Sequence, residues 1–269
     1  MSVVRRFPDL DALSRAAADE LIELARAAIG ARGRFHVALS GGSTPKRLFQ
    51  LLAQRKDALA WDAVELWWGD ERCVPPDHPD SNYGMARDHL IRPLELDEAR
   101  VHRMHGELDP GASARAYEDE LVAALGDPPV LDYALQGMGP DGHTASLFPD
   151  SPALGEERRW VLANPVKSSL VPGGAAMRIT LSAPAINRAR HVRFLVAGAD
   201  KAAALAAVLE GPRDPRRYPS QLIDPTGLRP APRAEPAGSP PPRFASLIEA
   251  ADVAWLVDEA AAAQLGSAR

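Results

Sequence analysis

The stretch FHVALSGGSTPKRLFQLL, residues 35–52, decides the fold class of this chain. Its first part, Phe35 to Leu39, is a short apolar run of the length of a buried strand. Gly41 and Gly42 follow in a polar turn, and the leucines from Leu48 to Leu52 return at helical spacing. The sequence therefore predicts a strand, a glycine loop and a helix in direct succession.

The same alternation of strand and helix recurs along the chain, beginning with a helix predicted over Asp9 to Ile29 and ended by Gly30. Strands separated by helices indicate βαβ units, which favour a mainly parallel sheet with helices on both faces. The predicted fold class is therefore α/β. The other predicted strands are Val64 to Trp68, Leu131 to Gln136, Met177 to Leu181, His191 to Val196 and Val253 to Val257, and the other predicted helices are Ser81 to Ile91, Tyr117 to Leu125, Lys201 to Leu209 and an alanine-rich helix after Val257.

Length and composition predict a single domain over residues 1–269. A chain of 269 residues with 46% hydrophobic content can bury one sizeable core. One stretch, at about 225–242, is rich in proline and poor in apolar side chains. Because so little apolar surface cannot offset the entropy of ordering, we predict a flexible surface loop there.

The charge pattern argues against a nucleic-acid partner, because the net charge is −5 and the basic residues are scattered. The apolar runs are far shorter than the ~20 residues that cross a bilayer, so no membrane partner is predicted. The amino terminus lacks the apolar stretch of an export signal, and the one cysteine, Cys73, cannot form an internal disulfide. We therefore expect a cytoplasmic protein that binds a small molecule.

The glycine loop after the first predicted strand suits a phosphate group. Ser40, Gly41 and Gly42 let the backbone approach a ligand closely, and the helix that follows offers free N–H groups and its positive dipole end. The spacing matches neither a Walker loop nor a dinucleotide fingerprint. Glycine-rich turns also occur without a ligand, so both interpretations stay open at this point.

Three adjacent charges, Asp70, Glu71 and Arg72, follow the predicted strand that ends at Trp68. Open α/β sheets bind ligands beyond the carboxyl ends of their strands, which is where these charges are expected to lie. Arg72 could bind a phosphate or carboxylate through its planar guanidinium, with Asp70 or Glu71 orienting it. The alternative is a solvated turn with local ion pairs.

His143 lies in a third turn, directly after the predicted strand that ends at Gln136, and three glycines surround it. Few side chains can shield it there, so we expect it to reach the cleft and to titrate near neutrality. Asp141, two residues earlier, could fix the tautomer of the imidazole, or it could only form an Asx-turn with its own backbone. Lys201, at the start of a predicted helix, is either neutralised by an anion or solvated.

The sequence contains no clustered histidines and cysteines of the kind that bind a metal, and no nucleophile elbow of a serine hydrolase. These absences favour chemistry by a histidine and water, without metal or cofactor.

Taken in order, these blocks resemble the glucosamine-6-phosphate isomerase/6-phosphogluconolactonase family, and within it the 6-phosphogluconolactonases. The resemblance implies a doubly wound α/β fold and cofactor-free hydrolysis of 6-phosphoglucono-1,5-lactone in the oxidative pentose phosphate pathway. It also implies that His143 is the general base, that Ser40, Gly41 and Gly42 line the sugar-phosphate site, and that Arg72 and Lys201 neutralise the phosphate. The matching blocks are LSGGSTP (39–45), DER (70–72), SNY (81–83), GMGPDGHTASLFP (137–149), RITL (178–181) with Asn187, GADK (198–201) and WLVD (255–258).

Two other functions compete with this hypothesis. Glucosamine-6-phosphate deaminases share the glycine loop and the DGH turn, but their pattern places a glutamate before the proline that follows, where this chain has Phe148 and Pro149. A phenyl ring cannot serve as an acid or base. A non-catalytic sugar-phosphate sensor would keep Ser40 to Gly42 and Arg72 but would not need His143.

Overall fold

The computed structural model describes residues 3–224 and 252–266, so the loop predicted at about 225–242 lies outside the described residues. Within these ranges no helix combines the length and the apolar character needed to cross a membrane. The strands are β1 (Val3–Phe7), β2 (Phe35–Leu39), β3 (Val64–Trp68), β4 (Asp70–Arg72), β5 (Tyr133–Gln136), β6 (Val161–Lys167), β7 (Ala175–Leu181), β8 (His191–Val196) and β9 (Asp252–Asp258), and the helices are α1 (Leu10–Arg32), α2 (Ser43–Ala53), α3 (Asn82–Ala86), α4 (Arg92–Leu94), α5 (Pro110–Leu125), α6 (Ala183–Asn187) and α7 (Ala202–Leu209).

Six parallel strands form the main sheet, in the order β1-β9-β8-β5-β2-β3. Helices flank this sheet, among them α1, which packs against β1, β2 and β9. The chain passes from β2 outward to β3 and then returns to the other side of β2 to form β5, so the strand order reverses between β2 and β5. The predicted α/β class, a doubly wound and mainly parallel sheet, is confirmed. Ligands bind such sheets beyond the carboxyl ends of the strands at the reversal.

Strands β3 and β5 are buried along their whole length, which explains why their sequences are mostly apolar. All five residues of β3 and all four of β5 are buried, as are Leu195 and Val196 at the end of β8. Trp67, Trp68 and Tyr133 are among the largest side chains of the core. Burial of each large apolar side chain contributes about 1.5–3 kcal/mol. This core fixes the strand ends from which the functional loops leave.

A second, antiparallel sheet of three strands, in the order β4-β7-β6, lies beside the main sheet. The strand predicted at Met177 to Leu181 is present as part of β7, but it lies in this antiparallel sheet, and the charged triplet after Trp68 forms strand β4 rather than a turn. The sequence did not predict β6, because Asn164 and Pro165 interrupt its apolar pattern; proline is tolerated in edge strands such as this one. Gly69 links the two sheets: its amide donates to the carbonyl of Leu39 in β2, and its carbonyl accepts the amide of Leu181 in β7, each at 2.8 Å.

Three terminal features also differ from the prediction. Helix α1 runs past Gly30 and ends at Gly33, which adopts a left-handed conformation with φ 78° and whose amide donates to the carbonyl of Ile29. The alanine-rich segment after β9 forms only a short 3-10 turn, Ala261–Gln264. Strand β1 was missed because its sequence, VVRRF, carries two adjacent arginines, which an edge strand tolerates.

Candidate active site

A cleft of about 370 Å³ opens at the carboxyl ends of β2, β5 and β8, at the reversal of strand order. Loops that follow these three strands form its walls, and β4 contributes a fourth side. Asp141 is absent from the lining but contacts a residue that is part of it. The other six predicted site residues all line the cleft: Ser40, Gly41, Gly42, Arg72, His143 and Lys201.

His143 and Asp141 form a close pair. Nδ1 of the imidazole lies 2.5 Å from Oδ1 of Asp141, and the same oxygen accepts the backbone N–H of His143 at 3.1 Å. Both interpretations left open by the sequence therefore hold, since the carboxylate orients the ring and also closes an Asx-turn. Because Nδ1 is engaged by the carboxylate, Nε2 is the ring nitrogen available to a ligand or a water in the cleft.

Two glycines make room for this pair. A Cβ atom on Gly139 would lie 2.1 Å from Nδ1 of His143 and 2.7 Å from Oδ1 of Asp141. Gly142 has φ 77°, and a Cβ there would also lie 2.9 Å from the ring of Tyr218. The amide of Gly139 donates to the carbonyl of His143, and the amide of Gly142 donates to the carbonyl of Gly139, each at 2.9 Å. The glycine-rich sequence is thus a requirement of the histidine's position.

The glycine loop, residues 40–45, packs closely against Asn82, which also lines the cleft. A Cβ on Gly41 would lie 1.7 Å from the amide oxygen of Asn82, so the close approach needs glycine. The Asn82 amide nitrogen in turn donates to the carbonyl of Asp70 at 2.8 Å and to its Oδ1 at 3.1 Å. Gly42, with φ 101°, precedes the first turn of α2, which directs N–H groups and the positive end of its dipole into the cleft. This end of the cleft is suited to an anion.

The carboxylates of Asp70 and Glu71 bind neighbouring residues of the site rather than the guanidinium of Arg72. The prediction that one of them orients this guanidinium is therefore wrong. Oδ2 of Asp70 accepts the hydroxyl of Ser146 at 2.7 Å, and Asp70 also lines the cleft. Glu71 is buried and accepts the backbone amides of Asn82 at 2.7 Å and Tyr83 at 2.8 Å, at the start of α3. Burial raises the pKa of Glu71, and the amides that donate to it offset only part of this effect.

Arg72 is oriented instead by the carbonyl of Asp80, which accepts from its Nη1 at 2.6 Å. Directly across the β4–β7 ladder lies a second arginine, Arg178. Burial, together with the neighbouring charge of Arg72, lowers the pKa of Arg178. Two like charges at opposed positions in a sheet repel each other, so an anion bound between or beside them would stabilise both. Nothing in the sequence indicates this pairing, which depends on an antiparallel register.

Lys201 lies at the cleft beside the start of α7, as the sequence predicts. Its Nζ donates to Oδ2 of Asp200 at 2.6 Å, and the Asp200 side chain is largely exposed. An exposed ion pair of this kind contributes little to stability, so Lys201 can exchange its partner for a ligand anion at low cost. The strand-to-helix loop is fixed by Asp258, whose carboxylate accepts the amide of Gly198.

The fold and the site together define an α/β enzyme that acts on a phosphorylated small molecule: an anion-binding helix start, cleft cations and an oriented histidine meet at one sheet edge. Comparison with known proteins identifies the family. Residues 8–230 match the family model described as glucosamine-6-phosphate isomerases/6-phosphogluconolactonase, and the chain belongs to this family.

Individual relatives agree with this assignment. The chain is 38% identical to a 6-phosphogluconolactonase of Nostoc sp. over 97% of its own length and 98% of the relative's. It is 42% identical to one of Mycobacterium tuberculosis, over 81% and 90% of the two chains. The crystal structure of 6-phosphogluconolactonase from Leishmania guyanensis superposes with a TM-score of 0.77 at 31% identity, covering 99% of this chain and all of the other. The family predicted from the sequence is thereby confirmed.

Proposed function

We propose that this chain hydrolyses 6-phospho-D-glucono-1,5-lactone to 6-phospho-D-gluconate, the lactonase step of the oxidative pentose phosphate pathway, in the cytoplasm. The observation that carries the proposal is the pair of His143 and Asp141, 2.5 Å apart, in the same cleft as the glycine loop that follows β2. The names and the coverage of the relatives support the same reaction. The single cysteine, Cys73, is compatible with a reducing compartment.

His143 performs the proton transfers in the proposed reaction. Its Nε2 takes a proton from a water as the water oxygen attacks the lactone carbonyl carbon, and a tetrahedral oxyanion forms. As this intermediate collapses, the bond between the carbonyl carbon and the ring oxygen breaks. The proton on Nε2 then passes to the departing ring oxygen, and the product acid ionises in solution. Asp141 keeps the proton on Nδ1 and stabilises the imidazolium that exists between the two transfers.

The phosphate is proposed to bind where the structure places anion-binding groups. Ser40, Gly41 and Gly42 present a backbone that a phosphate can approach, and the start of α2 adds N–H groups and a favourable dipole. Arg72 and Lys201 supply positive charge to an otherwise acidic protein. When its phosphate is bound there, the lactone carbonyl lies against the imidazole of His143. Binding of the phosphate therefore orients the reacting carbon toward the base.

The test is proton release on addition of freshly generated 6-phosphogluconolactone, corrected for spontaneous hydrolysis. Wild type, His143→Ala and the matched control His105→Ala, an exposed histidine outside the cleft, are compared. We expect acceleration by wild type and by the control but not by His143→Ala. Equal turnover by all three would refute the role of His143, and no acceleration by wild type would refute the lactonase.

The same protein is assayed for ammonia release from glucosamine 6-phosphate. Ammonia release would favour the deaminase, whereas binding of 6-phosphogluconate without turnover of either substrate would favour the sensor. Phe148 is the observation against the deaminase, because it places a phenyl ring beside His143 where that reaction needs an acid-base group.

A further inference from the structure

The imidazole of His143 lies flat against the phenyl ring of Phe148. The two ring centroids are 4.0 Å apart and the planes differ by 15°. Phe148 is 5% exposed and is not part of the cleft lining, so it covers the imidazole from the protein side. Offset or parallel aromatic pairs of this kind hold one another in a defined relative orientation.

Phe148 is itself held in place by a small apolar cluster outside the main core. The cluster consists of Phe148, Val166 and Val171, with Ala176 packed against it. Val166 lies on β6 and Ala176 on β7, so the hairpin formed by these two strands supports the ring. The hairpin therefore supports the imidazole of His143 indirectly, through the side chain of Phe148.

The chain between the two rings is fixed as a tight turn. The amide of Leu147 donates to the carbonyl of Thr144 at 2.9 Å, and Ala145 adopts a left-handed conformation with φ 46°. A non-glycine residue in this region is strained and persists only where its surroundings impose it. The next residue, Ser146, is held at two points. Its hydroxyl donates to Asp70 at 2.7 Å, and its carbonyl accepts from the Asn164 amide at 2.8 Å.

We propose that Phe148 is a positioning residue for the general base: it fixes the plane of the His143 ring, while Asp141 fixes the position of Nδ1. The hydrogen bond to Asp141 alone leaves the imidazole free to swing about the line between Nδ1 and the carboxylate oxygen. A ring packed flat against one face removes that freedom and excludes water from that face. Nε2 is then held in one direction, toward the cleft. This inference rests on the proposed role of His143 as base.

The test compares Phe148→Leu, which removes the ring, with Phe148→Tyr, which keeps it. A misplacement of about 1 Å at a reacting group costs roughly 10²-fold, so we expect kcat of Phe148→Leu to fall about ten- to a hundredfold. KM for the lactone and the inhibition constant of 6-phosphogluconate should change less than about twofold, because no phosphate contact is altered. Phe148→Tyr should restore most of kcat.

The matched control is Phe194→Leu. Phe194 is also buried and stacks on Trp255, with centroids 3.8 Å apart and planes at 5°, but it lies outside the cleft lining. This variant should lower the melting temperature and leave kcat unchanged. A spectroscopic readout is added: the carbon-bound ring protons of His143 feel the ring current of Phe148 in wild type and in Phe148→Tyr, and lose it in Phe148→Leu.

The outcomes separate this inference from the proposed function. If wild type hydrolyses the lactone and His143→Ala does not, but Phe148→Leu keeps kcat within about twofold, the positioning role is overturned. A rise in KM as large as the fall in kcat would also overturn it, because it would indicate general damage to the site. If Phe148→Leu does not fold, Val166→Ala replaces it, and an unchanged kcat in that variant overturns the inference. Failure of wild type to hydrolyse the lactone refutes the proposed function instead.

Discussion

One oxygen of Asp141 contacts His143 twice: Oδ1 lies 2.5 Å from Nδ1 of the imidazole and accepts the backbone N–H at 3.1 Å. The carboxylate thus links the imidazole to the backbone of its own loop. Burial would raise the pKa of Asp141, but the hydrogen bonds and the charge of His143 outweigh it and lower that pKa. The carboxylate is therefore ionised at neutral pH, and the tautomer of His143 with its proton on Nδ1 is favoured.

Asp141→Asn should lower kcat about 10²-fold or more with little change in KM, because an amide can donate to Nδ1 and select the wrong tautomer. The double variant Asp141→Asn/His143→Ala should be no slower than His143→Ala alone, since the two residues act as a unit. Steady-state proton-release kinetics check this. Asp62→Asn, an exposed carboxylate near the opposite end of β3, is the matched control. If the losses in kcat of the two single variants add up in the double variant, the two residues do not act as a unit.

Arg72→Ala should raise KM about ten- to a hundredfold, the range expected for the loss of a charge-assisted hydrogen bond to phosphate. kcat should fall less, because the proton transfers at His143 do not use this residue. Arg92→Ala, which removes an exposed arginine paired with Asp88, should leave KM unchanged. KM for the lactone is measured at several salt concentrations, since the effect should weaken as salt screens the charge. An unchanged KM removes Arg72 from the phosphate site.

Gly139→Ala should lower kcat and leave KM nearly unchanged, because the new Cβ would lie 2.1 Å from Nδ1 of His143 and must displace the imidazole. Gly155→Ala is the matched control: this glycine ends the short 3-10 turn Pro152–Gly155, and apart from its chain neighbours no atom lies within 4 Å of the position of its Cβ. Both variants are compared by kcat, KM and melting temperature. Wild-type kcat in Gly139→Ala would show that the loop relaxes without moving the base.

The sequence predicted the buried strands of the main sheet better than the second sheet. The bounds of β2, β3 and β8 match the predicted strands residue for residue, because buried strands leave a mostly apolar signature. The strand β6 was not predicted, because it is an edge strand whose asparagine and proline resemble a loop in sequence. The antiparallel pairing of β7 depends on its neighbours β4 and β6, which the sequence did not indicate as strands.

The candidate site also contains some residues that the sequence could predict and some contacts that it could not. Residues within one turn, such as Ser40 to Gly42 and the pair of Asp141 and His143, could be predicted because their chemistry and their spacing are local. Two contacts could not: Arg178 opposite Arg72, and the support of Phe148 by Val166. Each joins segments that are separated along the chain, and only the folded structure brings them together.

His102 gives the last prediction, far from the cleft. Its Nδ1 lies 2.6 Å from Oε1 of Glu120 on α5, and its Nε2 lies 3.0 Å from Oε2 of Glu65 on β3. The ring also stacks on Trp67, with centroids 3.9 Å apart. Burial by itself would lower the pKa of His102, but the two carboxylates outweigh burial and raise that pKa above its ordinary value of 6.5. The folded state therefore binds this proton more tightly than the unfolded chain does.

A histidine with a raised pKa in the folded state stabilises the fold fully below its unfolded pKa and loses this contribution as pH rises through the folded pKa. The difference in unfolding free energy between wild type and His102→Gln should therefore be largest below pH 6.5 and shrink above it. Urea denaturation over this range measures the difference. His36, whose pKa is lowered by burial and in part by the charge of His102, is present in both proteins. Glu120→Gln, which leaves one carboxylate in place, should show part of the same loss. A difference that stays constant with pH would mean that His102 is neutral in the folded protein and acts only by packing.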